Sequence, residues 1–246
     1  RWFVMFWRRQ KAAIERFHPL HKALTLDRAF SVSLRRDDWE PFVQSLARHG
    51  EEGRRRKWLL HERVPRVLVP MLRVLTADMP PHGTLSVAAD MRRAGLPEKT
   101  GPQPPVHPGG PITGMKQWYV VDPWLRMRAE LRDGSVVELS VTDRTRHRRY
   151  RKRNARGKIK LKRKSKTVQM VQVTRRMPKN AAARRPDTPP PRWLSVDGRQ
   201  AKRLTIRAKS KFPEPHKDEL VLYRILQVAT EPFRWTPARP ADGGRK

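Results

Sequence analysis

The sequence predicts an α+β fold: a mainly helical, basic N-terminal region over residues 1–94, a Pro/Gly-rich linker at 95–116, and an antiparallel β domain at 117–230. A long basic β-hairpin at 136–175 projects from that domain, a Pro-rich insertion occupies 177–192, and 231–246 form an extended, flexible tail. Three observations carry this expectation. Before residue 95, apolar residues recur at helical spacing between proline and glycine stops. A run of prolines and glycines then removes all periodicity. Beyond it, apolar residues alternate with polar ones around glycine turns.

In the N-terminal region, "RRQKAAIERF" favours helix until Pro19, which lacks an amide proton and disfavours helix in His18 before it. "DDWEPFVQSLARHG" is the best-formed segment. Asp37 or Asp38 caps its start, Pro41 fits its first turn, Phe42, Val43, Leu46 and Ala47 share a face, and Gly50 ends it. In "RRRKWLLHERVPRVLVPMLRVL", Pro65 and Pro70 argue against one long straight helix. "SVAADMRRAGLP" reads as a further helix with Ser86 as cap and Gly95 and Pro97 as stops. The linker follows, with Pro97, Pro102, Pro104, Pro105, Pro108, Pro111 and interspersed glycines, a composition that suits extended chain.

The second half alternates. "WLRMRAELRDGSVVELSV" is two strands about Asp133-Gly134, with Leu125, Met127, Ala129 and Leu131 on one side and Arg126, Arg128 and Glu130 on the other. A second hairpin turns at Ala155-Arg156-Gly157, with Gly157 left-handed. Placing Asn154 opposite Lys158 sets Val141 against Val171 and Leu139 against Val173, so the apolar residues meet at the base and the charge is carried to the tip. "WLSVDGRQAKRLTIRAK" offers a shorter hairpin turning near Asp197-Gly198. "DELVLYRILQVAT" suits either a helix or a strand, and its β-branched content favours strand. Trp118, Trp124, Trp193 and Trp235 lie near β edges, where a large ring closes a small core and an exposed copy could stack on a base.

Charge decides the class of partner. The 56 Lys and Arg less 23 Asp and Glu leave +33, more than internal ion pairs can cancel, so a polyanion is expected as counter-charge. The density peaks in the second hairpin. Arg144, Arg146, Arg148, Arg149, Arg151, Lys152, Arg153, Arg156, Lys158, Lys160, Lys162, Arg163, Lys164 and Lys166 are fourteen cations in 23 residues, with no acid among them. They are the expected RNA-phosphate contacts, because forked and flexible donors neutralise phosphates and release condensed counterions. Helix-turn-helix, zinc-finger and basic-zipper patterns are missing, and so are the aromatics of the common single-strand modules. Further cations, such as Arg54 to Lys57, Arg92-Arg93, Arg175-Arg176, Arg184-Arg185 and Lys202-Arg203, are spread over every segment. That distribution favours embedding in folded RNA over contact with a flat membrane.

No catalytic motif stands out. Walker and G-x-S-x-G patterns are missing, and the absence of cysteine removes disulfides and Cys-based zinc sites. His18 and His21 in "HPLH" lack an evident third ligand, and Asp37-Asp38 and Glu51-Glu52 read as capping or solvated acids. A nuclease would need a carboxylate cluster that the order of residues does not reveal. The expectation is therefore a binding protein with no enzymatic activity, cofactor, metal or small-molecule substrate.

In general build the chain resembles a ribosomal protein of the mitochondrial type, with its modest core, the basic hairpin "RHRRYRKRNARGKIKLKRKSK" and Pro/Arg-rich extensions such as "GPQPPVHPGGP" and "AAARRPDTPPPRW". The resemblance implies a structural or assembly role in a ribosome of the mitochondrial matrix, with ribosomal RNA and neighbouring ribosomal proteins as partners. A start at Arg1 instead of Met fits a removed import presequence. The alternative is a membrane-tethered protein whose basic cytosolic domain holds anionic lipid or a partner. Trp2 to Trp7 would then be the end of a span, flanked by Arg8, Arg9 and Lys11, although six apolar residues fall short of the about 20 a span needs.

Overall fold

The computed structural model describes residues 11–12, 14–49, 58–107, 109, 112–179, 181, 183–213 and 219–235. Seven strands form one antiparallel sheet in the order β1-β2-β3-β4-β5-β7-β6. They are β1 (Ala29–Arg35), β2 (Thr84–Asp90), β3 (Ile112–Glu130), β4 (Val136–Arg153), β5 (Ile159–Arg176), β6 (Leu194–Gln200) and β7 (Leu204–Pro213). Among the described residues four α-helices, α1 (Pro19–Leu26), α2 (Trp39–Ala47), α3 (Val69–Ala77) and α4 (Glu219–Phe233), share a core with one face of this sheet. The fold is α+β.

The core follows from period two on the strands meeting period 3.6 on the helices. Leu85, Val87 and Ala89 of β2, Leu125, Met127 and Ala129 of β3, Val137, Leu139 and Val141 of β4, and Val171 and Val173 of β5 are all buried on the helix side. Trp39, Phe42 and Leu46 of α2 and Leu72 of α3 cover them at one end, and Val221, Ile225 and Val228 of α4 at the other. On α2, Ser45 is buried where Ala47 was expected, because its hydroxyl is bonded to the His18 amide and the His21 ring. Residues 11–12 and 14–15 are helical and that helix stops short of Pro19, as expected; α1 then begins on Pro19 itself. Proline suits the first helical position, and the His18 side chain accepts the Leu20 amide as cap. Val64–Leu68 forms a π-helical turn before α3, and the Val69 amide reaches back to the Val64 carbonyl. The widened turn accommodates Pro70, which has no amide to continue the ladder.

Several expectations are corrected. The described part of the first 94 residues holds helices but also two strands: β1 and β2 lie there, and both belong to the same sheet and core as the second half. "SVAAD" is strand, because Leu85, Val87 and Ala89 alternate inward between two hydrogen-bonded neighbours. The linker is shorter than 95–116. β3 already begins at Ile112, Lys99 is buried, and the Gly101 amide donates to the Tyr119 carbonyl at 2.8 Å. Asp197 and Gly198 lie inside β6, and the turn falls at 201–203. Gly198 is small because the Trp235 ring would stand 2.6 Å from a Cβ there. Residues 219–233 are helix, since burial at Val221, Ile225 and Val228 is helical spacing. The Pro-rich insertion is partly packed: Met177, Ala181 and Ala183 meet Leu204, Ile206 and Trp235 in a satellite cluster. The segments Trp2–Trp7, Glu51-Glu52 and Arg54–Lys57 and the tail from 236 lie outside the described residues.

Candidate nucleic-acid interface

The basic segment is not a two-stranded ribbon. β4 pairs with β5 from Val136↔Arg176 to Arg153↔Ile159, and β3 flanks β4 as far out as Ile112↔Lys152. β7 leaves β5 at Val168. The result is an arm with β4 at its centre, extending about 30 Å beyond β7 at the usual rise per strand residue. Val141 faces Val171 and Leu139 faces Val173 at its base. At the tip the Asn154 amide donates to the Lys158 carbonyl, the Asn154 side chain accepts the Lys158 amide at 2.8 Å, and Gly157 has φ +76°.

One irregularity links arm to body. Asp122 pairs with Asp143 and Leu125 with Val141, so Pro123 and Trp124 supply one extra residue on β3. Proline is tolerated at such a bulge. The extra residue puts Asp122 and Leu125 on the same side of the sheet, and there Asp122, Asp143 and Gln169 form a buried polar anchor. Arg63 donates to Asp143 at 2.5 Å and lies 4.4 Å over the Trp124 ring, while Gln169 donates to Asp143 at 3.2 Å. Lys99 bonds Asp122 at 2.7 Å and Asp90 at 3.1 Å. Burial works to raise the Asp90 pKa, but hydrogen bonds from Arg92 and Lys99 and the Lys99 charge outweigh it and bring it down to about 2. The acids nearest the arm are therefore committed to structural cations.

The arm's own cations are divided by strand alternation. Arg144, Arg146, Arg148 and Lys152 of β4 share the helix-free face with Lys160, Lys162, Lys164 and Lys166 of β5. Arg149, Arg151, Arg153 and Arg163 lie on the opposite face, with Arg156 and Lys158 at the tip. All fourteen expected contact residues thus lie on the arm, exposed or half-buried. Among the described residues none of them forms an ion pair with a carboxylate. Two of them have neutral partners: Arg148 donates to Gln117 at 2.7 Å, and the Arg144 guanidinium lies 4.4 Å over the Tyr119 ring. Four like-charged pairs face each other directly across β4 and β5, Arg146↔Lys166, Arg148↔Lys164, Arg149↔Arg163 and Lys152↔Lys160, and Lys116 of β3 faces Arg149 from its other side. Such pairs are destabilising in isolation.

Some cations outside the arm are paired with acids. Arg175 is buried; it pairs with Asp133, donates to the Ser135 hydroxyl and the Pro232 carbonyl, and lies over the Phe233 ring. It locks the Asp133-Gly134 turn to the end of α4. Arg92 is held by Asp90 and Glu98, and Arg184 by Asp187. Conversely, the helix-free face carries cations outside the hairpin: Arg126 and Arg128 on β3, Arg207, Lys209 and Lys211 on β7. The alternation of "LTIRAKSK" holds that signal, since Ile206 and Ala208 must face inward. Lys116 falls within the expected linker, and Gln117 and Tyr119 carry no charge that would mark them in the sequence.

His18 and His21 are joined by His49, but the His21 Nε2 and His49 Nδ1 atoms bond each other directly at 2.9 Å instead of converging on a common point. Among the described residues no three His, Asp or Glu side chains are placed to hold a metal ion, and no helix is long and apolar enough to cross a membrane. Comparison with protein-family models, with curated proteins and with solved structures returns no match to this chain.

Proposed function

We propose that this chain is a structural RNA-binding component, or an assembly factor, of a ribosome of the mitochondrial matrix. It contacts ribosomal RNA phosphates through the arm and its extensions, has neighbouring ribosomal proteins as further partners, and catalyses no reaction. The observation that carries the RNA reading is the set of four like-charged pairs facing each other across β4 and β5 without a carboxylate partner. Lysines on the free edge of β5 have an ordinary explanation, because charge there blocks edge-to-edge aggregation. The arginines of β4 do not, because β4 is the central strand of the arm with neighbours on both sides. Their repulsion is relieved when phosphates come between them, and each phosphate neutralised releases counterions. The ribosomal assignment is carried by the build: an all-round basic chain with a modest core, a charged arm and Pro/Arg-rich extensions.

The test replaces Arg146, Arg148, Lys160, Lys162, Lys164 and Lys166 together with Gln and measures affinity for structured RNA over a salt series. The slope of log affinity against log salt is expected to become shallower by about 0.9 for each duplex phosphate that the variant no longer neutralises. An unchanged slope would refute the arm's role. Co-sedimentation with ribosomal particles at rising ionic strength tests the ribosomal assignment separately. Binding to structured RNA with no retention on the particles would leave RNA binding standing and remove the ribosome.

A further inference from the structure

The helix-free face of the sheet carries a concavity of about 520 Å³ beside the base of the arm, where β5, β7 and the start of β6 meet. Its composition differs from that of the arm. Thr142 and Gln172 contribute neutral groups that donate and accept, Lys209, Lys211 and Arg192 supply cations, and Trp193 supplies an aromatic ring. Trp193 is 44% exposed, whereas Trp39 and Trp124 are at most 1% exposed. The ring is nonetheless held. The Trp193 carbonyl accepts the Ser210 hydroxyl at 2.9 Å, the adjoining Leu194 is buried, and Phe212 supports the ring from a centroid distance of 5.6 Å. A second concavity of about 280 Å³, lined by Tyr119, Arg144, Arg146 and Lys166, shares Met170 and Lys211 with the first and leads onto the arm.

We infer that this concavity is a binding site for an unpaired nucleotide of RNA, with the base stacked on Trp193, its edge hydrogen-bonded by Gln172 and Thr142, and its phosphate held by Lys209 and Lys211. The inference rests on the RNA-binding reading above and adds a second mode to it. The arm meets phosphates and is indifferent to pairing, whereas an exposed, supported indole among cations selects a base free to leave its stack. A volume of about 520 Å³ lies within the usual range of small-molecule sites. Continuity with the second concavity lets a single-stranded segment run from the Trp193 site to the arm. The preferred ligand is therefore an RNA helix that continues into an unpaired strand.

The experiment compares a blunt RNA stem-loop with the same stem-loop carrying short uridine tails. Wild type is expected to bind the tailed RNA roughly 10- to 100-fold more tightly, the worth of stacking one base. Trp193→Ala should remove that difference and leave blunt-stem affinity unchanged, while Trp193→Phe keeps most of it. Lys209→Gln with Lys211→Gln, both at exposed positions, should narrow it without disturbing the fold. The inference is overturned if tails give wild type no advantage, or if Trp193→Ala weakens both RNAs alike. The six-cation arm variant separates the two levels: it should weaken both RNAs. If wild type binds neither RNA, the RNA-binding reading itself fails.

Discussion

His21 is fully buried: its ring is stacked on Phe17 at 3.9 Å, bonded to the Ser45 hydroxyl at 2.9 Å and to His49 at 2.9 Å. Burial is the main force lowering its pKa to about 3, and the neighbouring His49, His18 and Arg48 add to it. A histidine whose pKa is depressed on folding binds fewer protons folded than unfolded, so it contributes stability above its unfolded pKa of 6.5 that is lost as pH falls toward 3. His49 is lowered in the same direction by burial. Unfolding free energies from denaturant titrations should therefore decline between pH 7 and pH 4 by up to about 1.4 kcal/mol per pH unit for each such proton, and His21→Gln should flatten the decline. Arg175 supports a second prediction. Arg175→Met should lower stability by about 1.5–3 kcal/mol in chemical denaturation while leaving the salt dependence of RNA binding unchanged, because this arginine faces Asp133 and not solvent. Neither role is legible in sequence. His49 is 28 residues from His21, and a buried arginine in a basic chain looks like any other.

Elements are legible where local chemistry and tertiary placement agree. The alternation on either side of Asp133-Gly134, and the glycine at the tip of the basic segment, contain their own register, and both glycines have φ +76°. The Ser86 and Val221 segments depart from expectation because neither is decided locally. "SVAAD" is strand because β1 and β3 hydrogen-bond it on both edges, and "LVLYRILQV" is helix because its apolar side packs on the core-facing residues of β5 and β7. The two turn glycines allow a prediction at this scale. An alanine at either position pays for the left-handed conformation with about 1 kcal/mol. At Gly134 the new methyl also meets Pro178 at 3.3 Å, and the turn is tied to α4 through Arg175. Gly134→Ala should therefore lower the global unfolding midpoint. Gly157→Ala, in open space at the tip, should leave that midpoint unchanged and accelerate amide exchange only around 150–162.

Across the whole molecule the sheet has two unlike sides. One is covered by four helices and holds the core; the other presents Arg126, Arg128, Arg144, Arg146, Arg148, Arg207, Lys209 and Lys211 together with the lysines of β5. Composition alone carries the sign and size of the charge but not this partition, because it depends on which residues of each strand must face the helices. Of the hairpin's cations eight lie on the helix-free face and four, Arg149, Arg151, Arg153 and Arg163, on the reverse face. If the arm lies between RNA segments, Gln substitution of either set should reduce the salt dependence of binding, and the helix-free set should reduce it by about twice as much. An effect from the helix-free set alone would place the arm on an RNA surface instead of inside it.

β3 runs without a break from the centre of the body to the outer part of the arm, its bulge at Pro123-Trp124 included. That continuity governs how the protein can be dissected. Excising 144–166 alone would strip Ile112 to Val121 of the strand that satisfies its amides and carbonyls, leaving a bare ladder beside Trp118 and Val120 that invites self-association. A shortened protein that stays monodisperse must lose the outer ends of three strands together, so a soluble control lacking the charged projection has to be cut back on β3 as well.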